Sequence, residues 1–505
     1  MKNLAVFWLG CVGYSFKQGE MARMKLLCLS NGHGEDAIAL KILLQLQQCP
    51  NPPEIAALPI VGQGQAYLQH QIPVIGQVKT MPSGGFVYMD GRQLARDLQG
   101  GLLQLTLSQL KTIRTWAQSG GVILAVGDIV PLLFAWWSGA PYAFVGTAKS
   151  EYYLRDEQGI LQRQNWFDQL ESAFGSVYLP WERWLMSRDR CKAVFPRDTL
   201  TTEILQKWPI PAFDVGNPMM DGFAETAGER GKGKGERGEH RCTQMDTDGQ
   251  TAEPHSRRVE PYSPLPTPHS PLPTSPSPHP PIHIALLPGS RPSEAYRNWE
   301  TILAAVMALV EAWPDRRLCF WGAIASTLEL DSLVQPLLQQ GWNAAEIQEF
   351  NEGFNEGFNP ELDGELNEES LQTIAIEQIF RIGSATLCLT QSAFSQCLCR
   401  ADLAIAMTGT GTEQFVGLGK PAVILPGLGP QFTPAFAEAQ TRLLGCSTIL
   451  VQQPVQVPDV IEVLLQDRSQ LEKIRENGRR RMGQPGASQR IAKILQEHLV
   501  YPVDP

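Results

Sequence analysis

Lys25-Leu-Leu-Cys-Leu-Ser30, then Asn31-Gly-His-Gly-Glu-Asp36, then residues 37–48 follow one another without a break. The first six residues are a short apolar run, the size of a buried strand. The next six form a Gly-containing turn. In the last twelve, Ile38, Ile42 and Leu46 recur at steps of four, which places them on one face of a helix. Strand, Gly loop and helix in this order open a Rossmann-like unit. The order returns in the second half of the chain. Residues 282–287 read as a strand, Pro288-Gly-Ser-Arg291 as a turn and 298–313 as a helix. Residues 403–407 read as a strand, followed by Thr408-Gly-Thr-Gly-Thr412 and a helix from Glu413.

The remaining segments fit the same alternation. Strands are predicted at 54–59, 193–195, 213–215, 317–321 and 422–425, with helices at 92–118, 457–482 and 487–499. The most apolar stretch, 121–146, is long enough to span a bilayer, but Asp128, Pro131, Gly139 and Pro141 divide it. It reads as a strand at 122–126, a helix at 132–138 and a strand at 142–145. Strands buried on both faces of a parallel sheet are continuous apolar runs. Two α/β halves that each open on a Gly loop predict two facing Rossmann-like domains, with a site in the cleft between them.

Composition is ordinary for a folded chain of 505 residues, with 43% hydrophobic and 19% charged residues. Two inserts distort it. Eleven of the 38 prolines lie between Pro254 and Pro281, around a repeated Ser-Pro-Leu-Pro-Thr. That composition cannot bury a core and predicts a disordered linker. Nine acidic residues and no Lys or Arg lie between Glu346 and Glu369, so nearly all of the net charge of −10 belongs to one surface insertion. A near-neutral remainder gives no electrostatic footprint for nucleic acid. The predicted organisation is therefore an extension at 1–23, an N-terminal domain at 24–222, a linker at 223–281, a C-terminal domain at 282–485 with an acidic insertion at 346–370, and a helix and tail at 486–505. The extension has a basic start and an apolar run but no evident small-x-small cleavage site, and it reads as dispensable. The ten cysteines include no Cys-x-x-Cys, which predicts free thiols in a reducing cytoplasm and no zinc site. His33, His70 and His498 are the histidines expected in folded parts, with His283 at the edge of the linker.

Four places carry candidate chemistry. In Met407-Thr-Gly-Thr-Gly-Thr-Glu413, the glycines allow close backbone approach, helix N-terminal amides stabilise phosphate, and Thr410 and Thr412 add hydroxyls around Gly411. Glu413 could accept from ribose hydroxyls. The alternative is a turn with Thr412 as a helix cap. In Pro288-Gly289-Ser290-Arg291, the guanidinium suits a diphosphate and Ser290 offers a hydroxyl; an ordinary helix start with Glu294 is the alternative. Asp128 follows an apolar strand, where desolvation would make it a better base; capping the next helix is its alternative. His33 is the Gly-loop imidazole, with Asn31, Gly32 and Gly34 beside it; its alternative is a loop hydrogen bond. No Asp-x-Asp metal motif is evident.

In order and layout the chain resembles GT-B nucleotide-sugar glycosyltransferases, most closely the lipid-A-disaccharide synthase family. Leu287-Pro-Gly-Ser-Arg-Pro-Ser-Glu294 is similar to that family's Leu-Pro-Gly-Ser-Arg-x-x-Glu. Residues 402–413 with Gly419-Lys-Pro421 resemble its Ser-Gly-Thr-x-x-x-Glu segment. Ser30–Asp36 and Gly127-Asp128 stand where the family has a Gly-rich loop and a catalytic aspartate. His33 departs from that family; the related peptidoglycan glucosaminyltransferase has a Gly-rich loop ending in His. The resemblance also makes Gln431 a donor contact.

It implies an inverting, metal-independent transfer of a hexosamine-type sugar from a UDP-sugar co-substrate, without another cofactor, to a lipid-linked or envelope acceptor. The expected place is the cytoplasm, at the inner face of the cell membrane. The aromatics Phe134, Trp136, Trp137, Phe144, Tyr152 and Tyr153 would suit a lipid acceptor or plain core, and Arg479-Arg480-Arg481 an anionic lipid or a solvated helix end. A UDP-sugar 2-epimerase and a non-catalytic nucleotide-sugar-binding protein are the alternatives.

Overall fold

The computed structural model describes residues 24–79, 101–161, 166–223, 280–346, 375–429 and 432–500. The extension 1–23, the proline-rich segment 224–279, the acidic stretch 347–374, Gln431 and the side chain of His33 lie outside the described residues.

The first body is a five-stranded parallel sheet of β1 (Lys25–Ser30), β2 (Glu54–Pro59), β3 (Val122–Gly127), β4 (Tyr142–Gly146) and β5 (Cys191–Phe195), in the order β2-β1-β3-β4-β5. Every residue of β3 and β4 is buried, as the continuous apolar runs predict. Along β1 the side chains alternate. Leu27 and Leu29 join a core with Ile113 of α2 (Leu102–Gln118) and Leu132 of α3 (Ile129–Ser138). Leu26 and Cys28 join a second core on the other face, with Ile42 of α1 (His33–Gln47).

The second body is an eight-stranded sheet. In chain order its strands are β6 (Ile282–Leu287), β7 (Leu318–Ala323), β8 (Asn343–Ala345), β9 (Gln378–Ile382), β10 (Ala385–Thr390), β11 (Leu403–Ala406), β12 (Ala422–Ile424) and β13 (Thr448–Leu450). The spatial order is β8-β9-β10-β7-β6-β11-β12-β13, parallel except for the two pairs made by β9. His283 belongs to β6, inside the folded body, where its Nδ1 lies 3.2 Å from Trp321 Nε1.

Both bodies change strand direction of growth at one place, between β1 and β3 and between β6 and β11. Ligands of open α/β sheets bind outside the carboxyl ends of the strands at such a switch point. The four candidate segments are the loops and helix starts that leave these four strands.

The final helix, α10 (Ala487–Leu495), returns to the first body. Its Ile491, Ala492 and Leu495 share the core of Leu26 and Ile42, and each large apolar side chain buried there contributes about 1.5–3 kcal/mol. Its N-cap, Gly486, has no side chain to offer, and Asp221 takes that role, accepting from the amides of residues 486, 487 and 488 at 2.6, 3.0 and 2.7 Å.

Several local expectations are corrected. No strand forms at 213–215; the edge of the sheet is extended by a single parallel bridge between Val194 and Ala212. The helix after β3 begins at Ile129 rather than 132, because Asp128 caps it and Pro131 is tolerated in a first turn. The helix after β11, α7 (Thr410–Gly417), begins before Glu413, and that after β6, α6 (Pro292–Ala312), starts on Pro292. The stretch 457–482 is two helices, Val457–Gln466 and α9 (Arg468–Met482). Arg481 is neither a lipid contact nor solvated. It is buried, bonds the carbonyls of Arg442 and Leu443, and stacks on Tyr152 of the first body at 4.0 Å. Among the described residues, no helix is long and apolar enough to cross a membrane.

Candidate functional site

In the second body, the turn after β6 and the turn after β11 lie side by side. Gly289 has φ +98°, a conformation that favours glycine, and a Cβ there would meet the Met407 carbonyl at 3.6 Å. Asn298, buried on α6, ties the two turns together: its Nδ2 donates to the carbonyls of Pro288 (3.0 Å) and Met407 (3.2 Å). Gln440 of α8 (Pro434–Leu444) donates to Thr408 and Gly409 at 3.1 Å each. Neither amide was legible as a site residue, since Asn298 reaches a turn 109 residues on and Gln440 one 32 residues back. The turns are thus held from behind by buried amides. Their own amides and the N-termini of α6 and α7, neither of which has a side-chain cap, form the opposite side.

The proposed donor residues divide by exposure. Ser290 and Thr410 are exposed and Arg291 is half-buried, with its pKa lowered by burial. Gly411 is buried, and so is Thr412, whose hydroxyl donates to the Thr408 carbonyl at 2.5 Å and so caps nothing. Glu413 is buried against the first body. Its Oε2 accepts from Arg197 Nη2 at 2.7 Å, and the same guanidinium donates to the Thr147 carbonyl at 3.2 Å. Glu294 accepts from the Phe432 amide at 3.3 Å, so it holds Phe432 in addition to opening a helix.

In the first body the expected six-residue turn is shorter. Only Asn31 and Gly32 precede α1, so His33, Gly34, Glu35 and Asp36 form its first turn. Gly34 is exposed and Asn31 buried. Asp36 is anchored below, accepting from Ser30 Oγ at 2.5 Å, which in turn accepts from Tyr67 OH at 2.7 Å. Asp128 is the N-cap of α3, and its Oδ1 accepts from the Val130 amide at 2.9 Å. Burial raises its pKa, against the hydrogen bonds from the Val130 amide and the Asn31 side chain that hold it down.

Glu35 was not singled out by the sequence, yet it lies beside Asp128. A Cβ on Gly127 would approach its Cγ at 3.4 Å, and Thr147 Oγ1 is 3.5 Å from its Oε1. Burial, then Asp128 and Asp36, push its pKa up, and Arg291 of the second body is close enough to feel its charge. The structure therefore brings Asn31, Gly32, Glu35 and Asp128 together on one side, with Arg291 opposite. Glu413 and Arg197 form a buried seam at the side of this gap. Among the described residues, no group of three or more His, Cys, Asp or Glu is placed to hold a metal ion.

No protein-family model matches the chain, and no curated protein matches it. Solved structures do. The calicheamicin glycosyltransferase CalG4 superposes with a TM-score of 0.51 at 11% identity, over 95% of this chain and 100% of that one. The chain has the GT-B fold. At lower scores, a putative UDP-N-acetylglucosamine 2-epimerase of Listeria monocytogenes aligns with 0.48 at 15% identity over 94% of this chain and 97% of its own. MurG of Acinetobacter baumannii aligns with 0.46 at 14% identity over 94% and 99%. Within the GT-B fold, the turns after β6 and β11 belong to the C-terminal body and the Glu35–Asp128 pair to the N-terminal one.

Proposed function

We propose that the chain is a glycosyltransferase of the lipid-A-disaccharide synthase type. It would move a hexosamine-type sugar from a UDP-sugar to a hydroxyl of a lipid-linked or envelope acceptor. The observation that carries this reading is the pair of hydrogen bonds that Asn298 donates to the carbonyls of Pro288 and Met407. It assembles a glycine-lined cradle at one switch point, directly across from two desolvated carboxylates at the other.

In this reading the acceptor oxygen attacks the anomeric carbon from the side opposite the diphosphate, giving inversion. The diphosphate leaves with the bonding pair, and its charge is met by Arg291, Ser290, Thr410 and the backbone of Gly289 and Gly411. Glu413, held by Arg197, offers its second oxygen to the ribose. Neither a metal nor a resident cofactor is needed in this scheme, and Gln431 is retained as a donor contact.

The acceptor half supplies the support for a lipid. α3 is capped by Asp128, and its outer face carries exposed Leu133 and Trp137. Trp181 and Trp184 of α4 (Pro180–Met186) are exposed beside it, with Trp136 and Trp184 in edge contact at 5.4 Å. Arg188 stacks on Trp184 at 4.4 Å and Arg183 on Trp208 at 4.0 Å. Exposed tryptophans flanked by arginines suit the headgroup region of an anionic inner leaflet. Phe134, Phe144 and Tyr152 are core.

Calorimetry with UDP, UDP-GlcNAc and ADP on the wild type and Arg291→Ala tests the donor. Uridine nucleotides should bind, and the variant should bind them at least tenfold more weakly. A wild type that binds no nucleotide defeats the reading. An epimerised UDP-sugar formed without acceptor would establish the 2-epimerase, and binding without any product the non-catalytic protein.

A further inference from the structure

We propose that Glu35, rather than Asp128 or His33, accepts the proton of the attacking hydroxyl; this rests on the transferase reading above. Three observations of geometry separate the two carboxylates. Asp128 is committed to its own helix: Oδ1 holds the Val130 amide at 2.9 Å, and the Asn31 side chain donates to the same carboxylate. Taking up a proton there would weaken the cap of α3, worth about 1 kcal/mol. The Glu35 carboxylate accepts from its own amide and from Thr147 Oγ1, the latter at a long 3.5 Å. Its side chain lies over Gly127, where any side chain would crowd it, and Arg291 of the other body is close enough to feel its charge.

The groups around Glu35 make the division of labour consistent. Asp36 and Asp128 present like charge from α1 and the start of α3, Arg291 presents opposite charge from the other body, and the Lys149–Glu182 pair (2.6 Å) stands behind Asp128. His33 begins the same turn. Two neighbouring carboxylates with unequal hydrogen bonding settle into unequal roles. Asp128 keeps its cap. Glu35, half-buried and holding only its own amide and a distant hydroxyl, is the base.

The acceptor O–H bond breaks and its proton passes to the Glu35 carboxylate. The freed pair on oxygen forms the new bond to the anomeric carbon. The old bond from that carbon to the diphosphate breaks, its pair leaves on the diphosphate, and Arg291 meets that charge.

Water serves as acceptor in the test, so no acceptor need be known. UDP release from UDP-GlcNAc is measured for the wild type, Glu35→Gln and Asp128→Asn, with UDP affinity measured alongside. Glu35→Gln should lower kcat at least about 100-fold with UDP affinity unchanged, and Asp128→Asn should lower it much less. A Glu35→Gln enzyme that keeps its kcat, or loses no more than Asp128→Asn, overturns the assignment. A second measurement needs no turnover: carbon-13 NMR titration of glutamate carboxyls, with Glu35 assigned by its loss in Glu35→Gln. Glu35 should titrate above the usual glutamate range and move down in Asp128→Asn. An ordinary titration overturns the assignment. A wild type that binds UDP yet releases none from UDP-GlcNAc defeats the transferase reading, whereas a wild type that releases UDP beside an unimpaired Glu35→Gln defeats the Glu35 assignment alone.

Discussion

The two switch points share one topology and carry opposite chemistry. After β6 and β11 the chain presents backbone, glycines, hydroxyls and Arg291, braced from behind by the buried amides of Asn298 and Gln440. After β1 and β3 it presents carboxylates, with Asp36 bonded to Ser30 and Asp128 to the Val130 amide. The first surface suits an anion because little on it needs to be neutralised. The second suits a proton because burial disfavours charge on Glu35 and Asp128. A shared fold thus fixes where chemistry happens, and the residues leaving each strand decide which chemistry it is.

The sharpest way to break the comparison is at the seam between the two surfaces. Arg197→Met would leave Glu413 buried without its ion-pair partner, at a cost of about 3–5 kcal/mol. Chemical denaturation should show that loss, and adding Glu413→Leu should recover most of it. A single variant as stable as the wild type would mean that the seam does not hold the bodies together. Asn298→Ala comes next. Two buried carbonyls lose a donor, for about 2–3 kcal/mol of stability, and UDP binding should fall with the cradle. If UDP affinity survives, the two turns do not act as one site. A smaller effect is expected on the outer face of the first body. Trp137→Ala with Trp184→Ala should reduce co-sedimentation with phosphatidylglycerol-rich vesicles several-fold while leaving UDP affinity unchanged. Equal sedimentation would remove the lipid surface from the comparison.

The fold was legible because its signals are local. Apolar runs of strand length, glycines after them and four-residue helical spacing all lie within a dozen residues of each other. Asp128 was legible as a choice between base and cap, and its Oδ1 does hold the Val130 amide at the start of α3. Glu35 carries no separate signal within its motif, since an acidic residue in a first helical turn is ordinarily explained by the helix dipole. What lifts it from that role is Gly127, 92 residues on, together with Asp128 and Arg291. Asn298, Gln440 and Arg197 were invisible for the same reason. Each acts through a contact with a turn far away in the chain, and no spacing rule encodes such a contact. Arg481 shows the reverse: a run of three arginines looks like surface, yet the third is drawn inward by two carbonyls and the ring of Tyr152.

The least effect, and the most specific to the carboxylate surface, is on the pH dependence of stability. Burial raises the pKa of Glu35 and Asp128 in the folded chain above their unfolded values. Between the unfolded and folded values the native state holds more protons than the unfolded state, so stability falls as pH rises. The contribution is complete below the ordinary carboxylate range, near pH 4, and is lost as pH climbs through the raised values. This is the opposite sign to a salt-bridged acid. Replacing Glu35 and Asp128 by Gln and Asn should flatten that part of the stability curve, whereas Arg291→Ala, which leaves both acids in place, should keep the slope or steepen it. Urea titrations across the acidic range measure this directly. An unchanged slope in the double variant would show that the two acids titrate normally, and the contrast between the proton-handling and anion-holding surfaces would then rest on geometry alone.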